Sequence, residues 1–153
     1  MKLTTKVKLP SDRRVKPRTV GVRCWNGVVP IDTELAPVIE AWNKTGWLLT
    51  QECCSGHGSR PGYVMVSVRL DKLARLVSFL RAVEFQIAGD ALERPGPAVH
   101  MHLAFVHQEF ILGTVWTERW GTFDVSIYGT GPNHALTGKE MKRFVALAKD
   151  VRD

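Results

Sequence analysis

Residues 63–83 read YVMVSVRLDKLARLVSFLRAV, and the hydrophobic period changes partway along. Residues 63–70 are rich in β-branched side chains and read as a strand. From Leu73 onward the apolar residues return at Leu73, Leu76, Val77, Leu80 and Val83, the spacing of one helical face. Asp71 stands where a helix cap would. A strand running straight into an amphipathic helix calls for a sheet with helices packed on it.

Working upstream, WLLTQEC (47–53) predicts another strand and RTVGVR (18–23) a first one. Between them Leu35, Val38, Ile39 and Trp42 follow helical spacing. That helix starts near Asp32 or Thr33, has Pro37 in its first turn, and stops at Gly46. Downstream, EFQIA (84–88) predicts a short strand and GDALERPGP (89–97) a loop. VHMHLAFVH (99–107) alternates. EFILGTVW (109–116) and TFDVSIY (122–128) suggest a hairpin around TERWG (117–121). A last helix opens with the capping box TGKE (137–140) and carries Met141, Phe144, Val145, Ala148 and Val151 as its apolar stripe. The expected class is α+β: a mainly antiparallel sheet of about six strands with about three helices on one face. Residues 1–17 read as a basic arm and 18–153 as a single domain.

The chain has 153 residues, 44% of them hydrophobic and 24% charged, ordinary values for a folded domain. It lacks the long apolar run of a membrane helix and an N-terminal signal pattern, so no membrane partner is expected. Three cysteines, two of them adjacent, do not make a disulfide framework; they suit a reducing, cytoplasmic compartment. The net charge of +6 is concentrated in residues 1–23, where eight basic groups face one acidic group. The rest of the chain holds 13 basic and 14 acidic groups. Such an arm can bind nucleic acid by charge or lie on a partner subunit of a homo-oligomer.

The chemistry concentrates in TQECCSGHGSRPG (50–62). Gly56 and Gly58 permit left-handed backbone, and successive amides in such a turn can form a nest for an anion. Ser55 and Ser59 offer hydroxyls, and Arg60 can fork onto a phosphate or carboxylate. Cys54 and His57 are a candidate metal pair. His100 and His102, on one face of a strand, could complete a four-ligand zinc site. A thiol nucleophile at Cys53 or Cys54 would need His57 and an acidic orienter, and no such acid is identifiable nearby in the sequence. Trp116, Arg119 and Trp120, at the expected hairpin tip, could stack a base and hold a phosphate. GTGPN (129–133), between a strand and a helix, is a weaker phosphate candidate.

The order Trp42-Asn43-Lys44-Thr45-Gly46, then TQECCSGH (50–57), then Tyr63-Val64-Met65 resembles small phage and prophage proteins with an S-C-x-G-H or C-C-S-G-H loop. A more distant resemblance is to the tRNA wybutosine-synthesis methyltransferase-like family, whose loop is S-C-S-G-R. Cys54-Ser55-Gly56 match that loop, and His57 replaces its arginine. The resemblance covers about a quarter of the chain. The phage resemblance implies a protein that sequesters host-defence nucleotide signals without cleaving them, inside a bacterial host. The expected function is therefore binding of a phosphate-bearing nucleotide through Cys54, Ser55, Gly56, His57, Ser59, Arg60, Trp116, Arg119 and Trp120. No cofactor, no metal and no catalytic residue are assigned. The alternatives are an RNA-binding or RNA-modifying protein using the arm and the same loop, and a zinc-dependent or thiol enzyme.

Overall fold

A computed structural model describes residues 19–25, 27–90, 99–112 and 117–152, with backbone alone at 89–90, 107–112 and 117–118. The elements in chain order are β1 (Thr19–Cys24), β2 (Gly27–Asp32), α1 (Ala36–Asn43), β3 (Leu48–Cys54), β4 (Gly62–Arg69), a 3-10 turn (Leu70–Lys72), α2 (Leu73–Asp90), β5 (His100–Leu112), β6 (Thr117–Tyr128), a second 3-10 turn (Pro132–His134) and α3 (Gly138–Ala148). The class is α+β. The six strands divide into two antiparallel sheets: a β1–β2 hairpin and a four-stranded sheet in the order β3, β4, β6, β5. β4 and β5 run parallel with β6 between them, so α2 is the crossover of a split β-α-β unit.

One face of the larger sheet builds the core. Leu48, Val64, Val66, Val68, Phe123, Val125 and Ile127 pack there against Leu35, Val38, Ile39 and Trp42 of the α1 segment. Leu76, Leu80, Val83 and Ile87 of α2 and Met141, Phe144 and Ala148 of α3 join the same cluster. All three helices therefore cover that face. The fully buried Trp42 ties two of them together, its indole Nε1 donating to the Ala148 carbonyl at 2.8 Å. The opposite face is polar, carrying Tyr63 and Met65 of β4, Asp124, Ser126 and Tyr128 of β6, and His100 and His102 of β5.

Several expectations change. EFQIA (84–88) is not a strand, because Ile87 follows Leu76, Leu80 and Val83 on one helical face and α2 runs through it. β2 was not expected: Pro30 speaks against a strand, and a strand in a two-stranded hairpin has a free edge that tolerates it. The expected strands at 99–107 and 109–116 are joined in one long strand, β5, over His100–Leu112, with an irregularity between Phe105 and His107; residues 113–116 lie outside the described residues. Residues 117–121 are the start of β6 and not a turn. Asp71 lies within the 3-10 turn and accepts from the Arg69 guanidinium just before it, at 2.7 and 3.2 Å. The capping box forms as expected: Thr137 Oγ1 accepts from the Glu140 amide, and the Glu140 carboxylate accepts from the Thr137 amide. The basic residues 1–17 lie outside the described residues.

Candidate functional site

The loop of residues 55–61 joins β3 to β4, and its geometry starts with a bulge in β3. Thr50 faces Val66, but Glu52 already faces Met65, so Gln51 is the extra residue. Beyond the bulge Cys53 faces Val64 on the core side, and Cys54 faces Tyr63 on the polar side. Burial first, then the Asp32 charge, pushes the Cys53 thiol up to about 12. Cys53 is therefore not a thiolate at neutral pH, and Cys54 is the cysteine that reaches the loop.

Three consecutive residues, Gly56, His57 and Gly58, have positive φ (83°, 53° and 77°). A histidine in that region carries steric strain that a glycine would not. The turn wraps around a side chain from elsewhere. Asp32, the last residue of β2, accepts the Ser55 amide at 2.8 Å, and its Oδ2 lies 3.6 Å from His57 Nε2. Ser55 Oγ lies 3.4 Å from His57 Nδ1 and accepts from the His57 amide at 3.3 Å. Cys54 Sγ accepts from the Gly56 amide and from Arg60 Nη2, each at 3.4 Å. That bond is the chief reason the Arg60 guanidinium is raised above its ordinary pKa. Ser59 donates its amide and its hydroxyl to the Gly56 carbonyl. The expected anion nest is thus closed. The amides of Ser55, Gly56, His57 and Ser59 donate within the protein, and the anion at the loop is Asp32.

Asp32 is the acidic partner that local sequence did not supply. The region read there as the start of a helix bears an aspartate, but α1 is capped at Leu35 with no side-chain bond. Asp32 is brought to the loop by the β1–β2 hairpin. Trp25 of that hairpin donates its indole N–H to the Thr50 carbonyl at 2.9 Å, fastening it along β3.

The same end of the sheet carries an aromatic cluster. His100 stacks on Tyr128 with ring centres 5.0 Å apart and planes 8° from parallel. His102 lies 4.9 Å from Tyr128 and 5.1 Å from His100, and His134 approaches Tyr128 edge-on at 6.2 Å. Across the sheet, Cys54 pairs with Tyr63, Tyr63 with Ser126, and Ser126 with His102. Directly opposed residues share a face. These four therefore form a row about 14 Å long at ~4.8 Å per strand. Carboxylates flank it: Tyr63 donates to Glu52 at 2.6 Å, which lifts the phenol to about 12, and Ser126 donates to Asp124 at 2.6 Å. GTGPN (129–133) closes over this end, where Asn133 donates to the Ser59 carbonyl at 3.3 Å.

Arg119 and Trp120 are elsewhere. Trp120 pairs with Arg69, whereas the loop adjoins Gly62, so they lie at opposite ends of β4, about 23 Å apart at ~3.3 Å per residue. Trp120 is buried and Arg119 exposed. Trp116 lies outside the described residues. The zinc set is split: Cys54 and His57 lie at the end of the first strand of the sheet and in the loop after it, and His100 and His102 lie on the last strand. Among the described residues, the group whose donor atoms converge, all within 4.8 Å of one another, is Asp32, Cys54 and His57.

Comparison of the chain with protein-family models, with curated proteins and with solved structures gives no match. Fold and site define an α+β protein with a thiol, imidazole and carboxylate cluster at one end of a polar sheet face. No helix among the described residues is long and apolar enough to cross a membrane.

Proposed function

We propose that the protein binds a phosphate-bearing nucleotide across the polar end of the four-stranded sheet. The observation that carries this is the row Cys54, Tyr63, Ser126 and His102, with a guanidinium at one end and stacked rings at the other. Arg60, exposed beside Cys54, is the phosphate partner. His100, His102 and Tyr128 offer ring faces to a base, a stacking platform nearly indifferent to base identity. Glu52 and Asp124, between these ends, can accept from ribose hydroxyls or base amino groups. Arg119 and Trp120 take no part, because the length of β4 separates them from Arg60.

The resemblance to phage proteins supports sequestration of a signalling nucleotide as the biological use. Calorimetry with cyclic dinucleotides, cyclic mononucleotides and cyclic ADP-ribose isomers tests the reading. Arg60→Ala should weaken binding at least tenfold, from a lost charge-assisted bond of about 1.5–3 kcal/mol. His102→Ala should weaken it through lost stacking, and Arg119→Ala should not. Recovery of the ligand intact after heat release supports sequestration, whereas a cleaved product makes the protein an enzyme. If no nucleotide binds, or if Arg60→Ala and His102→Ala bind like wild type, the proposal is wrong.

A further inference from the structure

We propose that Asp32, Cys54 and His57 hold a divalent transition-metal ion, zinc by donor preference, as a three-ligand site with one open position. The donor set is a thiolate, an imidazole and a carboxylate, the combination that selects zinc over calcium or magnesium. Metal–ligand bonds of about 2.0–2.3 Å in a tetrahedron put donor atoms roughly 3.3–3.6 Å apart. His57 Nε2 and Asp32 Oδ2 already stand at 3.6 Å, and all three donors lie within 4.8 Å.

Each ligand also has its own outer partner. The Ser55 amide fixes the Asp32 carboxylate, the Ser55 hydroxyl sits at His57 Nδ1, and the Gly56 amide with Arg60 fixes the Cys54 sulfur. Outer-shell bonds of this kind set the orientation and basicity of metal ligands. The left-handed backbone at His57 has a reason here, since it turns the imidazole toward an aspartate from a different sheet.

A catalytic thiol accounts for the cluster less well. Cys54 is buried, 7% exposed as a residue, whereas His57 is at the solvent side with 37% of its side chain exposed. An ion between them has its open position facing outward. When the metal binds, a sulfur–metal bond replaces the S–H bond and the proton passes to water. A thiolate and a carboxylate balance the two charges of the metal, leaving Arg60 as the net positive group beside the open position. Water would fill that position. A phosphate oxygen could replace the water, which rests on the proposed nucleotide binding; the metal site itself does not.

The test uses the full chain, stripped with a chelator, dialysed against zinc and analysed for metal without any nucleotide present. One zinc per chain is expected. Asp32→Asn, Cys54→Ser and His57→Ala should each lose it, and Ser55→Ala should weaken uptake about 10- to 100-fold. The double variant His100→Ala, His102→Ala should keep it. Cobalt substituted into wild type should show a thiolate-to-metal charge-transfer band that persists in Cys53→Ser and Cys24→Ser, a readout that stands even if Cys54→Ser does not fold. No zinc uptake by wild type, no thiolate band with cobalt, or loss of zinc in the double histidine variant with retention in Asp32→Asn would each overturn the proposal. Nucleotide titrations run in chelator fail or succeed separately, so either reading can fall without the other.

Discussion

Replacing Gly56 with alanine probes how tightly the loop closes. Gly56 has φ of +83°, where a β-carbon costs about 1–2 kcal/mol. Its added Cβ would also stand 2.1 Å from the Arg60 carbonyl oxygen and 3.0 Å from that of Pro61. Both obstacles are backbone, so no rotamer change relieves them, and the chain at 60–61 must shift. Overpacking adds a further ~1–3 kcal/mol, so the total is about 2–5 kcal/mol. Gly46 provides the control: its φ is +78°, with no heavy atom within 4 Å of an added Cβ. Gly46→Ala should show the conformational cost alone. At roughly 3 °C per kcal/mol for a chain of this size, Gly56→Ala should melt about 6–15 °C below wild type and Gly46→Ala about 3–6 °C below. Thermal unfolding by circular dichroism measures both. Equal melting temperatures for the two variants would refute the close approach of Gly56 to residues 60 and 61.

Three further outcomes are expected. Trp42→Phe keeps most of the packing but leaves the Ala148 carbonyl without its indole donor, costing about 1–3 kcal/mol in denaturant unfolding; an unchanged midpoint would count against the bond. Burial acts to raise the Glu140 pKa, but donors from Thr130 and Thr137 overcome it and hold the carboxyl below its ordinary value. Its contribution is therefore present above the unfolded-state pKa and lost as pH falls through the folded one, so Glu140→Gln should flatten the acid limb of the stability curve. In the folded protein at pH 8, iodoacetamide should leave Cys53 unmodified, since its thiol titrates near 12, and peptide mass spectrometry after a short pulse reads this directly. Rapid alkylation of Cys53 would mean that β3 is not in the described register.

The features legible in the sequence are those that local chemistry carries. Val64, Val66 and Val68 mark β4 because successive side chains of a strand face opposite ways. Leu76, Leu80 and Val83 mark α2 because 3.6 residues make a turn. The capping box at Thr137 and Glu140 is complete within four residues, and its two bonds formed. Short-range reading failed where packing overrode it. EFQIA (84–88) has strand-like composition but continues the buried stripe of α2, and Trp120 looks like a hairpin tip until β6 is seen to start before it.

The sequence by itself determined the α+β class, the helix faces, and the concentration of cysteine, histidine, serine and arginine between two strands. Those are short-range patterns, set by side-chain period and turn chemistry. Tertiary structure alone decided which groups act together. Cys53 and Cys54 are equivalent as letters, and the bulge at Gln51 turns one into the core and the other toward the polar face. A single inserted residue reverses the facing of every residue beyond it, and it leaves no mark in the hydrophobic pattern. Asp32 lies 22 positions before Cys54 at the end of a hairpin strand interrupted by a proline, yet its carboxylate fills the loop because the hairpin docks along β3. The same long-range pairing puts β6 between β4 and β5, bringing His102 into line with Tyr63 and sending Trp120 to the far end of the sheet.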